Sequence, residues 1–259
     1  MPQDQILEVW GELACFTRPE LKVERFSYPV ITPSAARGIY DAIYCKPAEF
    51  RWQITQIEIL AWSRSFGGQE PSSYPQYIAL RRNEVKDKAP PARTILRWME
   101  GKEEPQPIEA DINNPKDDTK GRTQRQTMAL KNVRYRLHAH IHPWPGFEDR
   151  LPALEAQFRR RASQGKCIYQ PYLGCREFPA YFELVEQDAQ LESPLPINMD
   201  IGLMLYDVFD LSASGGPLDT ENDELPSISL FKAEVMNGII IVPDYESEAV
   251  LKGRRGAYA

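Results

Sequence analysis

Nothing in the 259-residue chain approaches the ~18 consecutive apolar residues that a membrane-spanning helix requires, so no segment is expected to cross a bilayer. Cysteine is sparse. Cys15, Cys45, Cys167 and Cys175 form no C-x-x-C pair and are too few for a disulfide framework in a chain this long. They are read as reduced thiols of a cytoplasmic protein. The amino terminus, Met1-Pro2-Gln3-Asp4, has neither the basic nor the apolar region of a secretion signal. The common cofactor and hydrolase signatures are missing as well: there is no G-x-G-x-x-G after a strand, no G-x-x-x-x-G-K-[ST], no H-E-x-x-H and no G-x-S-x-G. Nucleotide-dependent, zinc-protease and esterase chemistries lose their support, and no cofactor or metal is expected.

What is present has the balance of a soluble globular protein, 42% hydrophobic and 26% charged. A net charge of −6 argues against a nucleic-acid partner, but the distribution argues the other way. Residues 186–259 hold 14 acidic and 4 basic side chains, a balance of −10; residues 1–185 hold 27 basic and 23 acidic, a balance of +4. That asymmetry suits an RNA surface on the first part and a protein-facing surface on the second, although charge also drifts along any chain.

Residues 6–16 read as a strand interrupted at Gly11. Thr32 is placed to cap a helix that begins at Pro33, whose missing N–H costs nothing there. Ala35, Ile39 and Ile43 form its buried face, and Pro47 requires it to stop earlier. A strand follows at 51–60. Residues 61–127 are proline-rich, nearly devoid of apolar residues from Gly101 to Gln126, and read as an insert with disorder near 101–123 and a short strand at 78–85. From Asn132 the alternation is clear. Val133, Tyr135, Leu137, Ala139 and Ile141 share one side of a strand, and Arg134, Arg136, His138, His140 and His142 share the other. A helix over about 151–164 carries Arg159-Arg160-Arg161 in its last turn and can end at Gly165. A strand at 181–185 completes the order β-α-β-(insert)-β-α-β. Strands at 201–208, 228–233 and 238–242, with an acidic loop at 210–226, read as a small β appendage. The expected fold is therefore α+β: a ferredoxin-like, RRM-like domain over 1–190 with its insert at about 61–127, and a small antiparallel β domain over 191–259.

The five-residue stripe from Arg134 to His142 admits three readings. No carboxylate or thiolate lies nearby in sequence to complete a metal site, and the two arginines repel a cation. An RNA-facing stripe accounts for all five residues; an ordinary solvated strand face remains the plain alternative. The three arginines at 159–161 complement a helix dipole as readily as they contact phosphate. Tyr44, closing the first helix, is by spacing alone more often a packed residue than a catalytic one.

Several segments taken together resemble one family. They are Trp10-Gly11 with Cys15–Arg25; Ser27-Tyr28 with Ile31–Ile39; Ala42-Ile43-Tyr44 with Lys46-Pro47; Arg81–Val85; and Arg160-Arg161-Ala162 with the run Gln170-Pro171-Tyr172-Leu173-Gly174-Cys175-Arg176-Glu177-Phe178-Pro179-Ala180. The chain is similar in patches, from about residue 8 to about 242, to the Cas-five family of CRISPR-associated proteins in its subtype I-C form, within the RAMP superfamily. Gly202–Asp207 and Phe231–Gly238 fit too, while the proline-rich insert fits poorly. The resemblance implies a Cascade subunit that holds the 5′ handle of CRISPR RNA, contacts the backbone and large subunits, and meets target DNA only through the complex. Subtype I-C members also cut precursor RNA without metal, by attack of a ribose 2′-OH on the adjacent phosphate. That activity is associated with a Tyr on the first helix, matched by Tyr44, and a Lys-His pair opening the second. Counted back without gaps from Arg160, the pair falls on Ala153 and Leu154, which can neither move a proton nor carry charge. The expectation is an RNA-binding, non-cleaving subunit; the alternative is a metal-independent endoribonuclease with Tyr44 in its site. The RNA-binding candidates are Lys22, Arg25, Arg37, Lys46, Arg81, Arg82, Arg134, Arg136, His138, His140, Arg159, Arg160, Arg161 and Arg176.

Overall fold

The computed structural model describes residues 2–21, 23–62, 72–85, 90–106, 122–186, 189–212 and 228–252. Its elements run β1 Gln5–Ala14, β2 Arg25–Phe26, α1 Pro33–Ile43, β3 Phe50–Ala61, β4 Tyr77–Val85, α2 Ala92–Met99, β5 Arg122–Pro143, α3 Leu151–Ala162, β6 Tyr181–Leu184, β7 Met199–Asp207, β8 Ser229–Val235, β9 Ile239–Ile241 and β10 Val250–Lys252. Residues 1–78 with 128–259 make one compact unit, and 79–127 make a second.

In the larger unit the main sheet has the order β6-β1-β5-β3-β9, with every pairing along it antiparallel. The first four strands give the ferredoxin-like arrangement. β1 and β3, joined through α1, flank β5; β5 and β6, joined through α3, flank β1. The fold is thus α+β, with a second, three-stranded sheet β10-β8-β7 formed by the C-terminal strands. The apolar run at 239–241 does not stay with that second sheet. β9 adds to the free edge of β3, held by Ile59 N–H to the Gly238 carbonyl and Val242 N–H to the Thr55 carbonyl.

α1 begins as its sequence dictates. The Thr32 side chain accepts a hydrogen bond from the Ala35 N–H at 3.3 Å, and Pro33 occupies the first turn. Its inner face meets α3 and β3 in an aromatic cluster: Tyr40, Trp52 and Phe158 have ring centres 4.6–5.6 Å apart. The Tyr40 hydroxyl is 2.8 Å from both the Gln5 and Leu137 carbonyl oxygens, which ties the helix to two strands. Leu7, Val9, Val133, Tyr135, Leu137, Ala139 and Ile141 complete this core, so β1 and β5 turn their other residues to the opposite face.

The alternation of β5 does not start at Asn132. The strand begins at Arg122, and Asn132 sits at φ 51, a left-handed residue that breaks the period and leaves Glu12 of β1 out of the register. In the smaller unit, the proline-rich composition gives no sign of α2. That helix carries Arg97 paired with Glu103 at 2.9 Å and exposes Ile95, Leu96 and Met99. The disorder expected at 101–123 falls largely on 107–121, and the acidic loop largely on 213–227, both outside the described residues. Among the described residues no helix is long and apolar enough to cross a membrane.

Candidate nucleic-acid interface

The stripe on β5 stands on the sheet face away from the helices, as its alternation required, but it is not an open row of cations. Register decides this. Arg136 lies directly opposite Glu8 on β1 and Glu58 on β3. Its guanidinium meets Glu58 at 2.6 Å, Glu8 at 2.9 Å and the Glu192 carbonyl at 3.0 Å, and the side chain is 2% exposed. Arg134 reaches the second oxygen of Glu8 at 2.7 Å and Glu192 at 2.8 Å. His138 sits 2.9 Å from Glu58 and 3.5 Å from Asp4. Burial opposes protonation of His138, but the hydrogen bonds and charges of Asp4 and Glu58 outweigh it and lift the ring to about 9. Burial likewise works against the charged forms of Glu8 and Glu58, yet their cationic partners hold both carboxyls below the usual range. This stretch of the face is a neutralised network, and Arg136 in particular has no surface left for phosphate. Burial pushes His140 and His142 the other way, below the ordinary histidine value.

Arg37, too, is held by carboxylates. It bridges Asp41, at 2.5 Å, and Asp207, at 2.7 Å, the latter only 1% exposed, and so fastens α1 to β7. Burial works against its charge, but the two carboxylates raise its pKa still further. Arg25 pairs with Glu177 at 2.7 Å and Arg159 with Glu186 at 2.9 Å, both at the surface. Arg160 bonds Gln157 at 3.0 Å, while Arg81 and Arg176 are exposed. Arg82 is half-buried, and Lys22 lies outside the described residues.

The remaining candidates converge on the C-terminal end of α1. Tyr44 is the cap residue. Its ring packs on Phe50 at 5.5 Å and its carbonyl accepts from the Trp52 indole at 2.9 Å, leaving the residue 7% exposed. The last carbonyls of the helix are taken by other elements. The Arg161 Nε donates to the Ile43 carbonyl and the Ile168 N–H to that of Ala42, each at 2.6 Å. Just beyond, Glu49 gathers Lys46 and Arg150, both at 3.0 Å, and the Trp144 indole donates to the Pro47 carbonyl at 2.8 Å. Lys46 and Arg150 keep 39% and 53% of their side chains exposed. Residues 163–170 are exposed throughout, and Ile168 and Tyr169 present 56% and 47% of their surface beside the helix end. A phenol, three cations and a second aromatic ring therefore share one end of one helix, a composition suited to a ribonucleotide strand. Ala153 is exposed and Leu154 is 2% exposed in the core. Among the described residues no three His, Cys, Asp or Glu side chains converge as metal ligands would.

The architecture and the sequence then meet in one comparison. The family model for CRISPR-associated protein Cas5, in its Cas5d form, matches residues 6–243. The chain belongs to the Cas5d family. Among its relatives, the CRISPR pre-crRNA endoribonuclease Cas5d of Mannheimia succiniciproducens is 37% identical over 254 residues, covering 94% of this chain and 96% of that protein. The protein of the same name from Thermus thermophilus is 39% identical over 211 residues, covering 82% of this chain and 76% of that protein. Two crystal structures share the Cas5d-like fold at a TM-score of 0.56. One, of a CRISPR-associated protein, is 20% identical and covers 96% of each chain. The other, of a functionally uncharacterized protein from Streptococcus mutans, is 19% identical and covers 96% of this chain and 97% of that one. As a member of this family, the chain is a CRISPR-associated protein.

Proposed function

We propose that this chain binds precursor CRISPR RNA at its repeat, cuts it, and stays on the resulting 5′ handle as a cytoplasmic subunit of a Cascade-type complex. The observation that carries the reading is the end of α1, where Tyr44 stands with Lys46, Arg150 and Arg161. The names of two relatives, both pre-crRNA endoribonucleases, support it. The chemistry needs no water. A 2′-oxygen attacks the adjacent phosphorus, the bond from phosphorus to the 5′-oxygen breaks, and the products are a 2′,3′-cyclic phosphate and a 5′-hydroxyl. One proton leaves the 2′-hydroxyl and one reaches the 5′-oxygen. Tyr44 is the proton-transfer group in this reading, and the ammonium and guanidinium groups stabilise the charge that builds on the phosphate oxygens.

A second reading, a subunit that grips the handle without cutting, is favoured by Ala153 and Leu154 at the positions matched to the family's Lys-His pair. Incubation with end-labelled repeat RNA in EDTA separates the two. The first reading expects a single cut bearing a 2′,3′-cyclic phosphate, slowed about 10²- to 10⁴-fold in Tyr44→Phe with RNA affinity unchanged. RNA that is bound yet left intact by the wild-type protein establishes the second. RNA that is not bound at all overturns both.

A further inference from the structure

One cation on the face of the main sheet away from the helices lies outside the neutralised network. Arg51 on β3 is directly opposite His142 on β5, and Gln53 is opposite His140. With a period of two in both strands, all four side chains share the face away from the helices. Arg51 is 7% exposed, yet among the described residues it has no ion-pair partner. One terminal nitrogen donates to the Gln53 side-chain oxygen at 2.6 Å, the guanidinium carbon stands 5.8 Å from the centre of the Tyr245 ring, and Nε has no hydrogen-bond partner. Arg136, more deeply buried on the same face, is closed off by two carboxylates. A guanidinium brings five donors and keeps its proton, so one neutral amide oxygen and an aromatic ring leave it without a paired counter-ion.

We propose that Arg51, His140 and His142 form a binding site for a phosphate group, the guanidinium giving the fixed charge and the two imidazoles the remaining donors. The phosphate belongs either to a ribonucleotide strand, in which case the inference rests on the RNA-binding reading above, or to the free anion. Both rings are half-buried and held toward the neutral form, so each has a proton to gain when an anion arrives. The other charges acting on them are Asp4 before β1, Asp244 and Glu246 after β9, and Glu155 on α3. Asp244 and Glu246 also act on Arg51 through their charge without pairing with it.

The chain has three histidines, all on this strand face. Imidazole nitrogen NMR of the whole protein therefore follows the site directly, with His138, already held by Asp4 and Glu58, as internal control. Inorganic phosphate and repeat RNA are titrated separately. The His140 and His142 resonances move and their pKa values rise while His138 stays still; Arg51→Gln weakens the response roughly tenfold and Arg51→Lys restores part of it. A response to RNA alone assigns the site to a strand phosphodiester, and a response to inorganic phosphate assigns it to the anion itself. Rings unmoved by saturating amounts of both overturn the proposal, a result that needs no variant to fold. RNA that is retarded on a gel while the rings stay still sinks this site and leaves the proposed function standing; a phosphate response without RNA binding does the reverse.

Discussion

The sheet face around Arg136 and the end of α1 are both rich in cations, and they use them differently. On the sheet, the two arginines of the β5 stripe are answered by carboxylates: Glu8 and Glu58 flank Arg136 in register, and Glu8 and Glu192 hold Arg134. At the helix end, Glu49 is shared between two cations that keep much of their surface in water. The difference teaches that a basic residue is available to a phosphate only where carboxylates leave part of its charge unanswered and part of its surface in water. In a sheet its neighbours are set by register, and they come from far away in sequence.

The sharpest way to break this comparison is to delete the centre of the network. Arg136→Met leaves Glu8 and Glu58 facing each other on a buried surface, and the expected loss is about 3–5 kcal/mol in urea unfolding. A loss under about 1 kcal/mol would mean the face is solvated after all.

His138 sharpens it through pH. Its folded pKa is raised to about 9, above the ordinary ~6.5 of an unfolded histidine. Its contribution is therefore complete below about pH 6.5 and is lost as pH climbs through about 9. Unfolding free energy should fall by up to about 3 kcal/mol across that window, and the fall should vanish in His138→Gln.

A smaller effect tests which cations meet RNA. Lys46→Ala and Arg150→Ala should each reduce the slope of log affinity against log salt by about one, whereas Arg134→Ala should leave the slope unchanged. The smallest effect belongs to the surface pair of Arg159 and Glu186. Arg159→Ala should change stability by less than about 1 kcal/mol in the same urea assay.

Much of the fold is legible where the signal is local. Thr32 and Pro33 announce α1, Gly165 at φ 64 follows the end of α3, and the apolar side of β5 reads straight from its period. The first ten residues of β5 are hidden because Asn132 breaks the period, and α2 because a short helix between prolines gives little periodicity to read. For the candidate site, the place of Tyr44 at the end of α1 follows from the same local signals, while its chemical role comes only from the family resemblance. Arg136 misleads because its carboxylates are 78 and 128 residues away. A clue does exist, since Glu8 and Glu58 each stand between apolar neighbours in a strand, where an acid on the outward face needs a partner. Arg51 draws no notice in the sequence because a basic residue opening a strand looks ordinary until the register sets His142 beside it.

The run from Gln170 to Ala180 carries the most specific part of the family resemblance. Gly174 in that run has φ 83, and a methyl group added there would collide with the Cys15 carbonyl. The Cys15 N–H in turn donates to the Leu173 carbonyl at 3.0 Å. That fingerprint is a clasp stitching a loop to the first strand, so it sorts chains by how they are built.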